Sequence, residues 1–378
     1  MQTRAETVLL PDGVRMVHHA ADLPRAAWDA LTGPADFWLT CRWLDVVEAT
    51  AGVPMAYLWT ERAGRPVACL ATATATAAVP WALGRPDVLL RLAAKSRLPG
   101  AAEFLAELPG EPTEQLMPTL LAGGRHTGST RMLCGPDATP ADVTALAAAA
   151  EELGRQAQAA TVCYLYLDEH DRALADVLTR RGYRHFTTGE YCSLQVPPDG
   201  FDGYLAALPR KRRQAVTADR RRIQAAGVTV TAETLDQSDL DRFAELESGL
   251  LAKYGIDLRP PQLLPLLRQL RDGFGGDAFA MVARAEGEVR GFALILRHHD
   301  TWYARQTGYD YAYQQRTGAP LYFELLYYRL VEEAAAAGVR AIHYGLGSAD
   351  TKRSRGCTST EQRCHLLFLS CRQEGAPA

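Results

Sequence analysis

The sequence predicts an α/β (α+β) chain of two consecutive domains, residues 1–198 and 199–378, each a mixed, largely antiparallel twisted sheet flanked by helices. Three observations predict it. Hairpins, amphipathic helices and short apolar strands alternate along the chain. Their order returns after the break Val196-Pro197-Pro198-Asp199-Gly200, the clearest linker composition in the sequence. The hairpin of each half is also alike: Tyr57 to Val67 reads YLWTERAGRPV, and Ala280 to Val289 reads AMVARAEGEV. Such self-similarity is the mark of a duplicated unit.

In the first half, Val8 to Leu10 reads as a short strand before the turn Pro11-Asp12-Gly13, and helices follow around Trp28 and over Phe37 to Ala51. Met55 to Thr60 and Pro66 to Ala71 form the hairpin, its alternation continuing through Thr76. Residues 84–125, broken by Pro and Gly, read as an irregular helical insertion. A helix over Ala141 to Gln158, a strand over Thr161 to Leu167 and a helix over Ala173 to Arg181 complete the half, with strands around Tyr183 and over Tyr191 to Val196. After the linker come a helical region (Phe201 to Ala226), a strand at Val228 to Val230, and helices over Asp239 to Tyr254 and Leu263 to Asp272. The second hairpin spans Ala278 to Ala283 and Val289 to Leu296, followed by a strand at Thr301 to Gln306. A helix opening near Pro320 carries Leu321, Leu325, Tyr328 and Val331 on one face and stops at Gly338. The strand Arg340 to Gly345 then leads into a loop carrying Lys352 and Arg355.

Composition narrows the function. With 378 residues, 47 % hydrophobic and 22 % charged, the chain is long enough for two ordinary domains. No apolar run is long enough to span a membrane and the N-terminus lacks a secretory pattern, so a cytoplasmic protein is expected. The eight cysteines form no Cys-x-x-Cys pair and no zinc-like spacing with His, so no metal site is expected and most read as small buried side chains. Cys357, beside the Lys/Arg loop, is the one whose thiol nearby cations would activate. A net charge of −3 confines any nucleic-acid contact to a local patch.

One such patch stands out. Arg210, Lys211, Arg212, Arg213, Arg220, Arg221 and Arg222 are interrupted by a single acid, Asp219. The segment reads either as a phosphate-binding helix face, salt-sensitive through counterion release, or as a solvated surface. Gly345 and Gly347 allow close backbone approach to a ligand, and Arg355 offers a two-pronged donor to phosphate or carboxylate. Tyr303, Arg305, His343 and Tyr344 sit on strands leading to this mouth. Asp310, after Tyr309, reads as a proton acceptor or as a helix cap.

Taken together, these segments resemble a GNAT acyltransferase core, and two in one chain resemble the Fem-like (FemABX-type) aminoacyl-tRNA-dependent transferases. The resemblance covers most of the chain and is sharpest at Arg210–Arg213 with Arg220–Arg222, Gly291-Phe292-Ala293, Tyr309-Asp310, and Gly345-x-Gly347 with Lys352-x-x-Arg355-Gly356. It implies tandem GNAT-like domains and transfer of an aminoacyl group from tRNA to an amine, forming an amide. Aminoacyl-tRNA would be co-substrate, with no other cofactor. By the same resemblance Lys352 would stabilise the oxyanion or the leaving ribose oxygen, with Asp310 and Tyr309 as further catalytic residues. An ordinary surface loop is the alternative for Lys352. The acceptor would be a small molecule or peptide, as in natural-product (antibiotic) assembly. A second reading is an acyl-CoA-dependent N-acyltransferase: Gln315-Arg316-Thr317-Gly318-Ala319-Pro320 resembles the Gln-x-x-Gly pyrophosphate loop, but Pro320 has no N–H to donate. A binding module that kept the fold without catalysis is a third.

Overall fold

The computed structural model describes residues 8–79, 81–123 and 128–369. The chain falls into two compact units. One runs to Tyr191 and resumes at Thr360; the other is Cys192–Ser359.

In the first unit, strands β1 (Val8–Leu9), β2 (Arg15–Val17), β3 (Met55–Arg62) and β4 (Arg65–Ala75) form an antiparallel run. β5 (Thr119–Ala122) adds to β4 antiparallel, and β6 (Leu133–Cys134) also pairs with β4. β7 (Thr161–Asp168) pairs with β5 in parallel, and the sheet is therefore mixed. The helix Pro140–Gln156 begins at a capping box in which Asp142 accepts from the Thr139 N–H at 2.7 Å, with Pro140 in the first turn. Its Val143, Leu146, Ala147 and Ala150 pack on Leu58, Leu70, Leu120 and Val162 in the unit's core. Residues 84–125 hold three short helices as expected, but also β5, whose four buried residues are too few to show a period.

β8 (Arg184–Gln195) begins in the first unit and ends in the second, one strand where two short ones were expected. The second unit contains β9 (Thr229–Thr234), β10 (Ala278–Ala285), β11 (Glu288–His298), β12 (Thr301–Tyr309) and β13 (Ala341–Gly345). β9 to β12 are antiparallel neighbours, β13 joins β12 in parallel, and Cys192 to Gln195 of β8 joins β13 antiparallel. The last strand, β14 (Thr358–Phe368), was not expected from its polar sequence; Arg363 to Phe368 pair with β7 in the first unit. Pairing thus sets the division: it lies at 191/192 rather than at the Pro-Pro linker, and the end of the chain rejoins the first unit.

The second unit's sheet is covered on both faces. On one, Met281, Ala293, Ile295, Trp302, Ile342 and Tyr344 meet Leu321, Leu325, Tyr328 and Val331, the stripe the sequence predicts. That helix is not uniform: Leu321–Phe323 passes through a π-helical turn, Glu324–Tyr328, into Arg329–Ala336. The wider turn buries five successive residues, more than an α-helical stripe can. On the other face lies the helix Leu240–Lys253, where Phe243 stacks on Phe292 with centroids 4.1 Å apart.

Gly308 sets how near that helix comes. A Cβ there would sit 2.5 Å from the carbonyl carbon of Leu246 and 2.6 Å from the nitrogen of Glu247. Both are backbone atoms that no rotamer change can move. Gly308→Ala is expected to lower unfolding stability by about 1–3 kcal/mol, the scale of overpacking. Chemical denaturation checks this, and unchanged stability would contradict the close approach.

Candidate functional site

The central strand of the second unit is bulged. Leu294 of β11 pairs with Gln306 and Ile295 with Ala304, leaving Arg305 as the extra residue. Strict alternation would put Tyr303, Arg305 and Tyr309 on one face. The bulge breaks the alternation, as bulges beside functional sites do. Gln306 and Gly308 instead meet the helix Leu240–Lys253, and Tyr309 turns into the opposite core beside Tyr311 and Tyr322.

Glu247, a residue the sequence reading missed, faces this bulge. The residue is 8 % exposed, and its carboxylate accepts from Gln306 Nε2 at 2.8 Å. Burial pushes its pKa up to about 7, with the Gln306 hydrogen bond and the Arg305 charge working against the rise. Burial in turn draws Arg305 below its ordinary value, opposed by Glu247. Gln306 is 4 % exposed, and its Oε1 has no partner among the described residues. Tyr303 lies next to Arg305's position on β12, its ring stacked on His343 of β13 at 4.6 Å and 8°. Arg305 thus acts on one buried carboxylate, and Tyr303 and His343 stack on each other further along the same two strands. A signal for Glu247 existed: Leu240, Phe243, Ala244 and Glu247 share one helical stripe, and an acid takes the fourth apolar position.

The remaining expected site residues have other partners. Asp310 caps the helix Tyr311–Thr317 by accepting from the Tyr313 N–H at 2.9 Å, and pairs with Arg290 at 2.9 Å. These donors overcome burial and hold its carboxyl below the usual range, which makes it a weak base. Tyr344 turns into the core and donates to the carbonyl of Leu326 in the π-turn.

Lys352 is not on a flexible loop. It lies on a short helix, Ala349–Arg353, after Gly345 and Gly347, which take φ of 66° and 77°. Those values suit glycine and fold the segment back on itself. Lys352 Nζ then donates to the carbonyls of Tyr344, Gly345 and Leu346 at 2.7, 2.9 and 2.7 Å. An ammonium has three donors, so the turn uses all of them. Burial draws the ammonium down to about 8. Burial also outweighs Lys352 at Cys357, whose thiol rises to about 12; it is not activated.

Arg355 is buried too. It donates to Tyr328 Oη at 3.2 Å, pairs with Asp219 at 3.4 Å and lies 3.9 Å over the Phe323 ring, so its fork serves the protein rather than an external phosphate. The basic helix, Arg210–Ala225, is divided. Arg220 pairs with Glu332 at 2.6 Å and covers Phe201, Arg213 donates to the Leu208 carbonyl, and Arg222 pairs with Asp219 at 3.4 Å. Arg210, Lys211, Arg212 and Arg221 are exposed, with no ion pair among the described residues.

Two concavities lie apart from Glu247. One of about 520 Å³ in the first unit is lined by Thr60, Arg62 and Asp142, and one of about 320 Å³ in the second by Arg220, Glu324, Arg329 and Glu332. In both, opposed charges are already paired. Among the described residues no group of three or more His, Cys, Asp or Glu is placed to hold a metal ion. No helix there is long and apolar enough to cross a membrane. Of the cysteines, Cys371 lies outside the described residues; Cys134 is exposed and the other six are buried.

The fold is that of a solved FemX, with a TM-score of 0.60 at 12 % identity over 94 % of this chain and 97 % of that one. A tandem GNAT protein from the clavulanic acid biosynthesis pathway is similar at a TM-score of 0.49 and 14 % identity, over 94 % and 98 % of the two chains. L-PGS from Bacillus licheniformis is similar at 0.46 and 15 %, over 68 % of this chain and 79 % of that one. No curated protein matches the sequence. The class so defined is an α/β chain of FemX-like fold. Residues 123–373 match the FemAB-like family, described as peptidoglycan biosynthesis/recognition, and the chain belongs to that family.

The Lys352 geometry has a measurable consequence. Lys352→Ala leaves three inward carbonyls without their donor and is expected to cost about 1–3 kcal/mol. Because folding lowers this lysine's pKa from 10.5 to about 8, its contribution is present above 10.5 and lost as pH falls through 8. The wild type therefore gains stability between those values, and the variant lacks that gain. Equal unfolding curves at pH 7 and pH 10 for both proteins would contradict a structural Lys352.

Proposed function

We propose that the protein is a Fem-like aminoacyltransferase that moves an aminoacyl group from aminoacyl-tRNA to an amine, forming an amide. Membership of the FemAB-like family over residues 123–373 is the observation that carries this reading. The family's description makes the amine of a peptidoglycan precursor the first acceptor to test, and an amine of a natural-product intermediate the second.

Geometry favours tRNA over CoA as donor. In the CoA reading, Gln315 to Pro320 would offer free N–H groups at the start of a helix. Instead, Gln315, Arg316 and Thr317 form the last turn of the helix Tyr311–Thr317, where their N–H groups serve the helix itself. Gly318 closes that helix in the left-handed region with its N–H on the Gln314 carbonyl at 2.8 Å, and Pro320 brings no donor. Meanwhile Arg210, Lys211, Arg212 and Arg221 are exposed cations, without an ion pair among the described residues, that phosphates can reach. The amine then meets an ester carbonyl, the new C–N bond forms, and the bond to the ribose oxygen breaks.

The test is to incubate the protein with candidate amines and either charged tRNA or acyl-CoA. Product from charged tRNA that ribonuclease abolishes is expected. Replacing Arg210, Lys211, Arg212 and Arg221 together by Ala should weaken tRNA binding and reduce the slope of log K against log salt by up to about 3. Ribonuclease-resistant product with release of CoA would overturn the donor. Tight ligand binding without turnover under any donor would make the chain a binding module.

A further inference from the structure

Among the buried acids of the second unit, three differ in what they face. Asp219 is bound by Tyr328 Oη at 2.6 Å and by Arg355 and Arg222 at 3.4 Å each. Glu324, in the π-turn, is opposed by Arg220 at 3.7 Å. Glu247 instead accepts from a neutral amide, Gln306 Nε2 at 2.8 Å, with Arg305 as the charged group acting on it among the described residues. The residues around that amide are placed by backbone features: the bulge that turns Gln306 to the helix side, and Gly308, which admits the helix. The amide's other end, Gln306 Oε1, is a buried acceptor with no donor among the described residues. A buried unpaired acceptor costs stability, about 1–3 kcal/mol in general. Two acceptors side by side, one anionic and one neutral, match the N–H groups of an amine, and the partly exposed Arg305 lies beside them.

We propose that Glu247 takes the proton of the acceptor amine and that Gln306 Oε1 holds a second N–H of the same nitrogen. This deepens the transfer reading and rests on it only in taking an amine as acceptor. The amine arrives as an ammonium and gives one proton to the Glu247 carboxylate, which frees its lone pair. The nitrogen attacks the ester carbonyl carbon; the C–N bond forms as the bond to the ribose oxygen breaks. The second proton lost by nitrogen ends on that leaving oxygen, and Glu247 returns its proton to solvent. A carboxylate that titrates near neutral pH can do both halves of this cycle. Lys352, with its donors used by the turn, needs no part in proton transfer.

Two measurements test this. In protein labelled with carboxyl-¹³C glutamate, the signal lost in Glu247→Gln should titrate with a midpoint near 7. Methylammonium, used as the probe, should lower that midpoint in the wild type and not in Gln306→Leu. An ordinary glutamate midpoint with no response to methylammonium overturns the proposal. In the transfer assay, Glu247→Gln should slow amide formation about 100-fold or more and remove the acid limb of the pH–rate profile. Because folding raises this carboxyl, its contribution to stability is lost as pH rises through about 7, so the same variant should melt higher than wild type at pH 8 and equally at pH 4. A wild-type rate in Glu247→Gln overturns the proposal and leaves aminoacyl transfer standing. A methylammonium response without product from charged tRNA supports the amine site and overturns the tRNA donor.

Discussion

The approach of the helix Leu240–Lys253 to the backbone at Gly308 fixes where a buried acid meets the central strand of the second unit. Any side chain at 308 would drive the helix outward, and Glu247 would move toward water with it. The bulge at Arg305 is the matching constraint on the strand: one extra residue turns Gln306 toward the acid and Tyr309 away. Neither feature acts alone. Without the bulge the amide would face the opposite core, and without the glycine the carboxylate would not reach it. The combination holds an acid whose charged form is costly, partly offset by an amide donor and by Arg305.

Cationic side chains of the second unit illustrate how the same chemistry is used in two ways. Lys352, Arg355 and Arg220 all lie where basic residues invite a ligand reading, and each is engaged by the protein's own acceptors. Lys352 fastens a glycine-rich turn, while Arg355 joins the residues after that turn to Asp219 on the basic helix. Four other cations of that helix are left to solvent, so the charge available for a phosphate backbone is smaller than the sequence suggests and confined to one helix.

Much of this was legible in the sequence. The alternation of hairpins with amphipathic helices marked the α/β class, and the stripe Leu321, Leu325, Tyr328 and Val331 faces the core as its spacing predicts. Tyr303 and His343 stack because β12 and β13 run parallel with Tyr303 opposite His343. What stayed hidden depended on pairing between distant segments. A bulge is invisible until the neighbouring strand sets the register, so the turn of Tyr309 into the opposite core could not be read. β14 is polar where it begins and becomes a strand through β7. Glu247 was missed because a helical stripe alone does not say that an amide waits opposite it. The setting of Lys352 was hidden for a related reason: three carbonyls of a folded turn carry no signature in the residue types that supply them.

The central claim is that a buried carboxylate and an unpaired amide oxygen together form a seat for an amine nitrogen. A crystal structure of the protein equilibrated with methylammonium tests it most directly. The account predicts the nitrogen within hydrogen-bond distance of both Glu247 and Gln306 Oε1, with Gln306 Nε2 still donating to the carboxylate at about the 2.8 Å seen without it. A bulge absent from β12, or methylammonium bound elsewhere with Glu247 turned to solvent, would contradict it.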